Sequence, residues 1–323
     1  MVTPDTRRRA QMILLGALAL AVIIVAVTVV VNSLATTRTA GPTQSSPQID
    51  EAREFAFESR KGSRSLVLRL NHRHRNVTAA QLDAIVTDNV TAYGGLLAES
   101  YASSHAEYVN LTYHNDSSAF GYRVVQAADD DLSTGGPGPG PGPVLVPPGA
   151  ERRIGWFSLN VNLSSTSRDP SSIVVTNDTG HSVEYRINRT GNGTLNVTST
   201  VTNGGTVTGT ATGTCDPSRN RVLLDLVGGT SFSADCTFNG TEAIDGPYSV
   251  TVVNGDGLVG KYELAYKESL PSPRAPDPCD PSVNRTNPCT APVVWTANVS
   301  AQFDSSELNV SNRHNVSIYG DPP

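Results

Sequence analysis

The chain begins with a sharp change from polar to apolar residues. Positions 12–31, MILLGALALAVIIVAVTVVV, carry no charged side chain. A helix that rises about 1.5 Å per residue crosses the roughly 30 Å hydrocarbon core of a bilayer in about twenty residues. The arginines at positions 7–9 precede this stretch, and basic residues keep their flank of a span in the cytoplasm. The pattern predicts a basic cytoplasmic leader (1–11), a single transmembrane helix at Met12–Val31 that contacts the lipid bilayer, and an extracellular remainder.

The residues after the predicted span form two further segments. A stalk (32–47) contains Gly and Pro residues that stop a helix. The hydrophobic spacing then predicts a small α+β module close to the membrane, over residues 48–132. Residues 49–60 have the spacing of a short amphipathic helix, whereas the leucines in 66–70 alternate with polar residues as they do in a strand.

The second half of this module has clearer boundaries. Thr78 and Gln81 form a capping box, which is followed by an apolar helical stripe that reaches about Ser104. Alternating apolar residues over 109–124 then predict a hairpin that turns at the polar residues 114–118.

A composition change separates this module from the rest of the chain. Residues 135–143 alternate Gly and Pro, which form neither a helix nor a strand ladder, so 133–150 is predicted to be a linker. Beyond it, apolar residues recur at every second position, and turn residues recur about every ten positions. The segment 254–257, Asn-Gly-Asp-Gly, predicts a hairpin turn. The fold class predicted for 151–323 is mainly β, an immunoglobulin-like β-sandwich.

Asparagine is distributed unusually. Of the 22 asparagines, 14 stand in the sequon Asn-x-Ser/Thr, whereas Ser and Thr at about a fifth of the chain lead to a chance expectation of about four. Asn and Thr are common in turns and strands, which raises the number of sequons expected by chance, but not threefold. We therefore predict N-glycan acceptors on an extracytoplasmic surface. They are Asn76, Asn89, Asn110, Asn115, Asn162, Asn177, Asn188, Asn192, Asn196, Asn239, Asn284, Asn298, Asn309 and Asn315.

The four cysteines lie in the distal half of the chain. An even number of cysteines in an external chain predicts disulfides. Three pairings are open, and the local one, Cys215 with Cys236 and Cys279 with Cys289, is favoured because each pair brackets a turn-rich loop. The alternative, a metal site, is disfavoured because the chain has no Cys-x-x-Cys.

The residues before the span carry a resemblance to a known class of proteins. Arg9-Ala10-Gln11-Met12 leads directly into the apolar stretch and resembles the site that archaeal prepilin peptidases cut in type IV pilins. The resemblance implies cleavage between Ala10 and Gln11; an uncut signal anchor is the alternative interpretation. The Arg-Ala-Gln start, the Ala/Val-rich span and the β-rich exterior together resemble haloarchaeal pilin-like surface proteins. The ratio of 21 Arg to 3 Lys also resembles that of haloarchaeal proteins, and a high-GC genome is the alternative explanation of the ratio. Other pilin-like subunits or envelope glycoproteins are the partners that this resemblance implies. The length of the chain and the helix break at 41–42 depart from ordinary pilins.

Motifs for catalysis are missing from the sequence. There is no Gly-x-Ser-x-Gly, His-Glu-x-x-His or phosphate-binding glycine loop, so we predict no enzyme and no cofactor. His72 and His74 would share one face of a strand, as metal ligands do, but the surrounding residues 60–75 are strongly basic, which favours a solvated face. The net charge of −6 argues against nucleic acid as a partner.

These observations predict a non-enzymatic, membrane-anchored and N-glycosylated surface protein of the cell envelope, pilin-like, with a structural or adhesive role. The alternative is a module on a signal anchor that binds a ligand or a carbohydrate through the loops of its sandwich.

Overall fold

The computed structural model describes residues 47–105, 107–132, 144–148, 153–268, 278–279 and 288–320. The predicted leader, the span and nearly all of the stalk lie outside them, as does most of the predicted linker. From Ala52 onward, the described residues belong to one compact unit.

Two helices open the described part of the chain: α1, Pro47–Arg73, and α2, Ala79–His105. The predicted capping box is confirmed, because the Thr78 amide donates to Gln81 Oε1 (2.8 Å) and the Gln81 amide donates to Thr78 Oγ1 (3.2 Å). The predicted strand at 66–70 is wrong, since these residues continue α1.

The misleading leucines have a physical explanation. Along the buried face of α1, positions 59 and 63 are serines, so the helical period there is carried partly by small polar residues. Val67 and Leu70 complete this face, while Leu66 and Leu68 are only partly buried on either side of it. The alternation of the leucines is therefore incidental to their packing.

Thirteen strands follow among the described residues. They are β1 (Tyr108–Asp131), β2 (Val144–Val146), β3 (Ile154–Asn162), β4 (Ser171–Asn177), β5 (Ser182–Arg189), β6 (Leu195–Asn203), β7 (Thr206–Cys215), β8 (Arg221–Asp225), β9 (Thr230–Ser231), β10 (Tyr248–Val253), β11 (Val259–Lys267), β12 (Cys289–Asp304) and β13 (Asn309–Ser317).

The strands form two sheets, as the mainly-β prediction requires. The seven-stranded sheet has the order β13-β12-β1-β11-β3-β8-β9, and the six-stranded sheet has the order β2-β10-β4-β5-β6-β7. One apolar core lies between the two sheets, where residues such as Phe157, Tyr185 and Leu264 are buried. A second core lies between α1, α2 and the opposite face of the seven-stranded sheet, where Phe55, Val86 and Phe303 meet.

Strand β1 connects the two regions that the linker was expected to separate. It pairs antiparallel with β12 from Tyr108 to Val125 and with β11 from Gly121 to Asp131, so residues on both sides of 133–150 share one sheet. The predicted hairpin at 114–118 is wrong, because these polar residues form a register shift within a single strand. The Ser118 hydroxyl stabilises this shift: it donates to the His114 carbonyl (2.7 Å) and accepts from the Asn298 amide (3.0 Å).

The segment 254–257 turns the chain but does not form a hairpin. Asn254 has a left-handed φ of 53°, and Gly255–Gly257 form a 3₁₀ turn. The strands on either side, β10 and β11, belong to different sheets. The predicted hairpin is therefore wrong, and the turn instead connects the two sheets across the core.

Candidate functional site

Thirteen of the fourteen sequon asparagines fall within the described residues, and Asn284 lies outside them. Six are exposed, namely Asn76, Asn110, Asn115, Asn192, Asn309 and Asn315. Five are partly exposed, namely Asn89, Asn162, Asn188, Asn196 and Asn239. Only Asn177 and Asn298 are buried among the described sequons. Most of the predicted acceptors thus lie where an attached glycan would extend into solvent.

Four sequons share one face of the seven-stranded sheet, opposite the helices. Asn298 lies between Ala297 and Val299, which pack in the helical core, so alternation directs Asn298 to the other face. Asn315 is directly opposite Asn298 in the register. By the same alternation, Asn110 and Asn309 lie on this polar face.

A hydrogen-bond network surrounds Asn298 on this face. Its Nδ2 donates to Asn315 Oδ1 (2.6 Å), and its Oδ1 accepts from Arg313 Nε. The Arg313 guanidinium also donates to Ser117 Oγ, which lies in the register shift of β1. Asn298 thus connects three strands and has a structural role that its sequon did not predict.

The side-chain amide of Asn177 is also hydrogen-bonded within the protein. Its Oδ1 accepts from the amides of Thr179 (3.1 Å) and His181 (2.7 Å), which closes the turn after β4. Its Nδ2 donates to the Asp245 carbonyl (2.9 Å). Both ends of the side-chain amide are therefore used inside the protein.

Both cysteine pairs are joined, Cys215 to Cys236 and Cys279 to Cys289, the pairing that the sequence spacing favours. Cys215 and Cys236 are buried in the core between the sheets. The bond attaches the loop before η1 (Thr241–Ala243) to the end of β7.

His72 lies at the end of α1 and not on a strand, so the alternative that the sequence pattern disfavoured, two histidines on one strand face, does not form. Its Nδ1 lies 2.9 Å from Glu263 Oε1 of β11. The same oxygen lies 3.4 Å from the Arg123 guanidinium, whose side chain is only 1% exposed and also donates to the His72 carbonyl. Within the described residues, no group of three or more His, Cys, Asp and Glu side chains is arranged to hold a metal ion.

The pKa of Glu263 reflects its neighbours in this cluster. Burial acts to raise the pKa of Glu263, but the hydrogen bond from His72 and the charge of Arg123 outweigh it and lower that pKa. The Glu263 carboxylate is therefore the counter-ion of a guanidinium that is removed from water, and it fastens α1 to the seven-stranded sheet.

A cleft of about 780 Å³ opens beside this cluster, within the size range of ligand pockets. Trp295 and Tyr319 form its wall, with ring centroids 5.6 Å apart. Gly155 lies against the Trp295 ring and the Tyr319 Cβ atom, and a Cβ atom at position 155 would have no room. The cleft thus has an apolar, aromatic side.

The lining of the cleft also includes polar residues. Arg153, Glu242 and Asp245 are exposed there, and Tyr248 is half-buried. Burial raises the pKa of the Tyr248 hydroxyl, Asp245 adds to the rise and Arg153 opposes it. Sequence patterns did not single out these residues, because Tyr248 and Trp295 look like ordinary strand positions and the polar residues come from separate loops.

Some predicted sites remain outside the described residues. They include the processing residues Ala10 and Gln11 and the predicted span at Met12–Val31. Among the helices that are described, none combines the length and the apolar character needed to cross a membrane. No protein-family model, curated protein or solved structure matches this chain.

Proposed function

We propose that this chain is a membrane-anchored, N-glycosylated surface protein whose β-rich exterior has a structural or adhesive role in the cell envelope. The observation that carries the proposal is the exposure of the sequons: eleven of the thirteen described acceptors are at least partly accessible to solvent. Within the described residues they lie on a helix, in turns and on both sheets.

Two further features support an extracytoplasmic location. Disulfides persist in oxidising compartments, and both cysteine pairs are joined. The uncharged Met12–Val31 stretch follows three arginines, which favours an anchor with a cytoplasmic N-terminus. The pilin-like processing site and the immunoglobulin-like arrangement of the exterior are parts of the same proposal.

Protease treatment of intact cells tests the location, and glycopeptide mass spectrometry tests the modification. We expect protease to degrade an epitope placed near Pro323, and glycans to be found on exposed sequons. Mass spectrometry of the membrane-bound chain also reveals its first residue, which is Gln11 if the leader is cut. Full protection of the epitope, or a complete lack of glycans, contradicts the proposal.

The adhesive role needs a separate measurement. Cells that lack the chain should attach to one another or to surfaces less than cells that carry it. Re-expression of the full chain should restore attachment, and an unchanged attachment contradicts the adhesive part of the proposal.

The second candidate function is ligand binding, which the aromatic-walled cleft favours. Aromatic rings, carboxylates and a guanidinium that line one cleft suit a hydroxyl-rich ligand such as a sugar. Titration with oligosaccharides released from envelope glycoproteins tests this function. Binding that is lost in Glu242→Gln/Asp245→Asn and kept in the exposed control Glu307→Gln supports it; equal behaviour of the two variants contradicts it.

A further inference from the structure

The four sheet edges that the structure describes differ in how open they are to another strand. Edge strands with unpaired backbone groups are templates for strand addition, and proteins protect them by shortening, bulging, charging or covering them. Two edges are short: β2 has three residues and β9 has two. The long edge β7 has a register shift against β6 and contains Gly209 and Gly213, which weaken its pairing.

Strand β13 is neither shortened nor interrupted by a bulge. All nine of its residues pair with β12 in a continuous register. Residues 309–313 are exposed on both faces, and the strand contains neither Pro nor Lys. Its one charged residue, Arg313, is hydrogen-bonded to Asn298 and Ser117 on the polar face of the sheet. Arg64 donates to the Ser317 carbonyl at one end, but no strand pairs with the outer edge of β13 within the described residues.

What β13 does contain is two sequons in nine residues, Asn309-Val310-Ser311 and Asn315-Val316-Ser317. Both asparagines are exposed, and both lie on the polar face of the sheet. A glycan on each would project from an edge strand whose own backbone offers hydrogen bonds to a second strand.

We propose that N-glycans on Asn309 and Asn315 cover this edge and prevent it from pairing with the same edge of a second copy, while Asn298 in the neighbouring strand stays unmodified. The proposal rests on the proposed function, because it requires the chain to reach a glycosylating compartment. Two β13 strands paired about a two-fold axis would make an isologous contact, the commonest way in which identical chains associate.

The chemistry of attachment separates Asn315 from Asn298. The asparagine Nδ2 displaces a polyprenyl phosphate group from the anomeric carbon of a lipid-linked oligosaccharide, so that a C–N bond forms, a C–O bond breaks and Nδ2 loses one proton. Asn315 uses only its Oδ1 toward Asn298, and its exposed side chain leaves Nδ2 accessible. Asn298 is buried, with 7% of its surface exposed, and its Nδ2 already donates to Asn315 Oδ1.

Three full-length variants in detergent micelles test the covering role. Ser311→Ala/Ser317→Ala removes both sequons, whereas Ser311→Thr/Ser317→Thr keeps both sequons and both hydroxyls. Ser311→Lys/Ser317→Ala also lacks both glycans but places a charge on the edge, which opposes strand pairing. We expect light scattering to give about a doubling of protein mass, or larger assemblies, for the alanine variant only.

Glycopeptide mapping of the wild-type chain accompanies these measurements. Glycans at Asn309 and Asn315 with none at Asn298 are expected. Glycans elsewhere but not on β13, a glycan on Asn298, or an alanine variant that keeps the wild-type mass each overturns this inference and leaves the proposed function standing. Association of the lysine variant also overturns it, since an edge contact is then not the cause. A chain with no glycan at any sequon overturns the proposed function itself.

Discussion

The strongest stability prediction concerns the counter-ion of Arg123. We expect Glu263→Gln to lower the free energy of unfolding by about 3–5 kcal/mol, because it leaves a buried guanidinium without an opposite charge. The Arg123 side chain is 1% exposed, and Glu263 is its carboxylate partner at 3.4 Å. Urea unfolding of the full chain in detergent micelles measures the loss, and Glu307→Gln, at an exposed turn position, is the matched control.

A second substitution distinguishes charge burial from general disruption. If the unpaired guanidinium causes the loss, Arg123→Met in the Glu263→Gln background should recover part of it, since an apolar side chain carries no charge to desolvate. A double variant that is less stable than Glu263→Gln alone refutes this reasoning. So does a Glu263→Gln variant that is no less stable than the Glu307→Gln control.

The same cluster predicts a pH dependence. The pKa of Glu263 is lowered in the folded chain, because His72 and Arg123 outweigh the effect of burial. A carboxyl with a lowered pKa contributes stability that is present above its unfolded pKa of about 4.3 and is lost as the pH falls through the folded value. The stability difference between the wild type and Glu263→Gln should therefore shrink as the pH falls below about 4. A difference that stays constant with pH contradicts the assignment.

Three further predictions concern packing. Asn71→Ala should lower the free energy of unfolding, measured in urea, by about 2–5 kcal/mol. The buried Asn71 side-chain amide accepts one hydrogen bond from the backbone of β12 and donates another to it, so its loss leaves both backbone groups unsatisfied. A decrease below about 1 kcal/mol contradicts this prediction. Replacing Cys215 and Cys236 with serine should lower the free energy of unfolding by about 3 kcal/mol, because the disulfide joins residues 21 positions apart and so restricts the unfolded chain. An unchanged free energy of unfolding contradicts this prediction. Gly121→Ala should prevent native folding, as judged by circular dichroism, because the new Cβ atom would collide with a backbone carbonyl of β11. The control Gly95→Ala is at an exposed helix position with open space around it, and it should raise the free energy of unfolding by about 0.5–1 kcal/mol.

Local features of this protein could be predicted from the sequence because they depend on neighbouring residues. The capping box at Thr78 and Gln81 needs only a four-residue spacing, and it forms as predicted. The mainly-β character after residue 151 follows from the alternation of apolar and polar residues, which indicates that one side of each strand is buried. The pairing of Cys215 with Cys236 follows from the short loop between them, and the sequons are visible as three-residue patterns.

Sequence patterns were misleading wherever the outcome depended on a distant partner. The turn at 254–257 has hairpin chemistry, but which sheet each flanking strand joins is decided by pairings with β4 and β3. Likewise, the polar residues 114–118 have turn composition, but β12 pairs on both sides of them and keeps β1 continuous.

The same distinction between local patterns and distant partners applies to the candidate sites. The sequons at Asn298 and Asn315 are each evident from three consecutive residues. The difference in their accessibility results from strand register, which places the Asn298 amide inside a hydrogen-bond network and Asn315 on the open edge strand. The cleft and the Arg123–Glu263 pair likewise join residues far apart in the chain. Burial and electrostatic pairing are properties of the assembled sheets, so only the tertiary structure decides them.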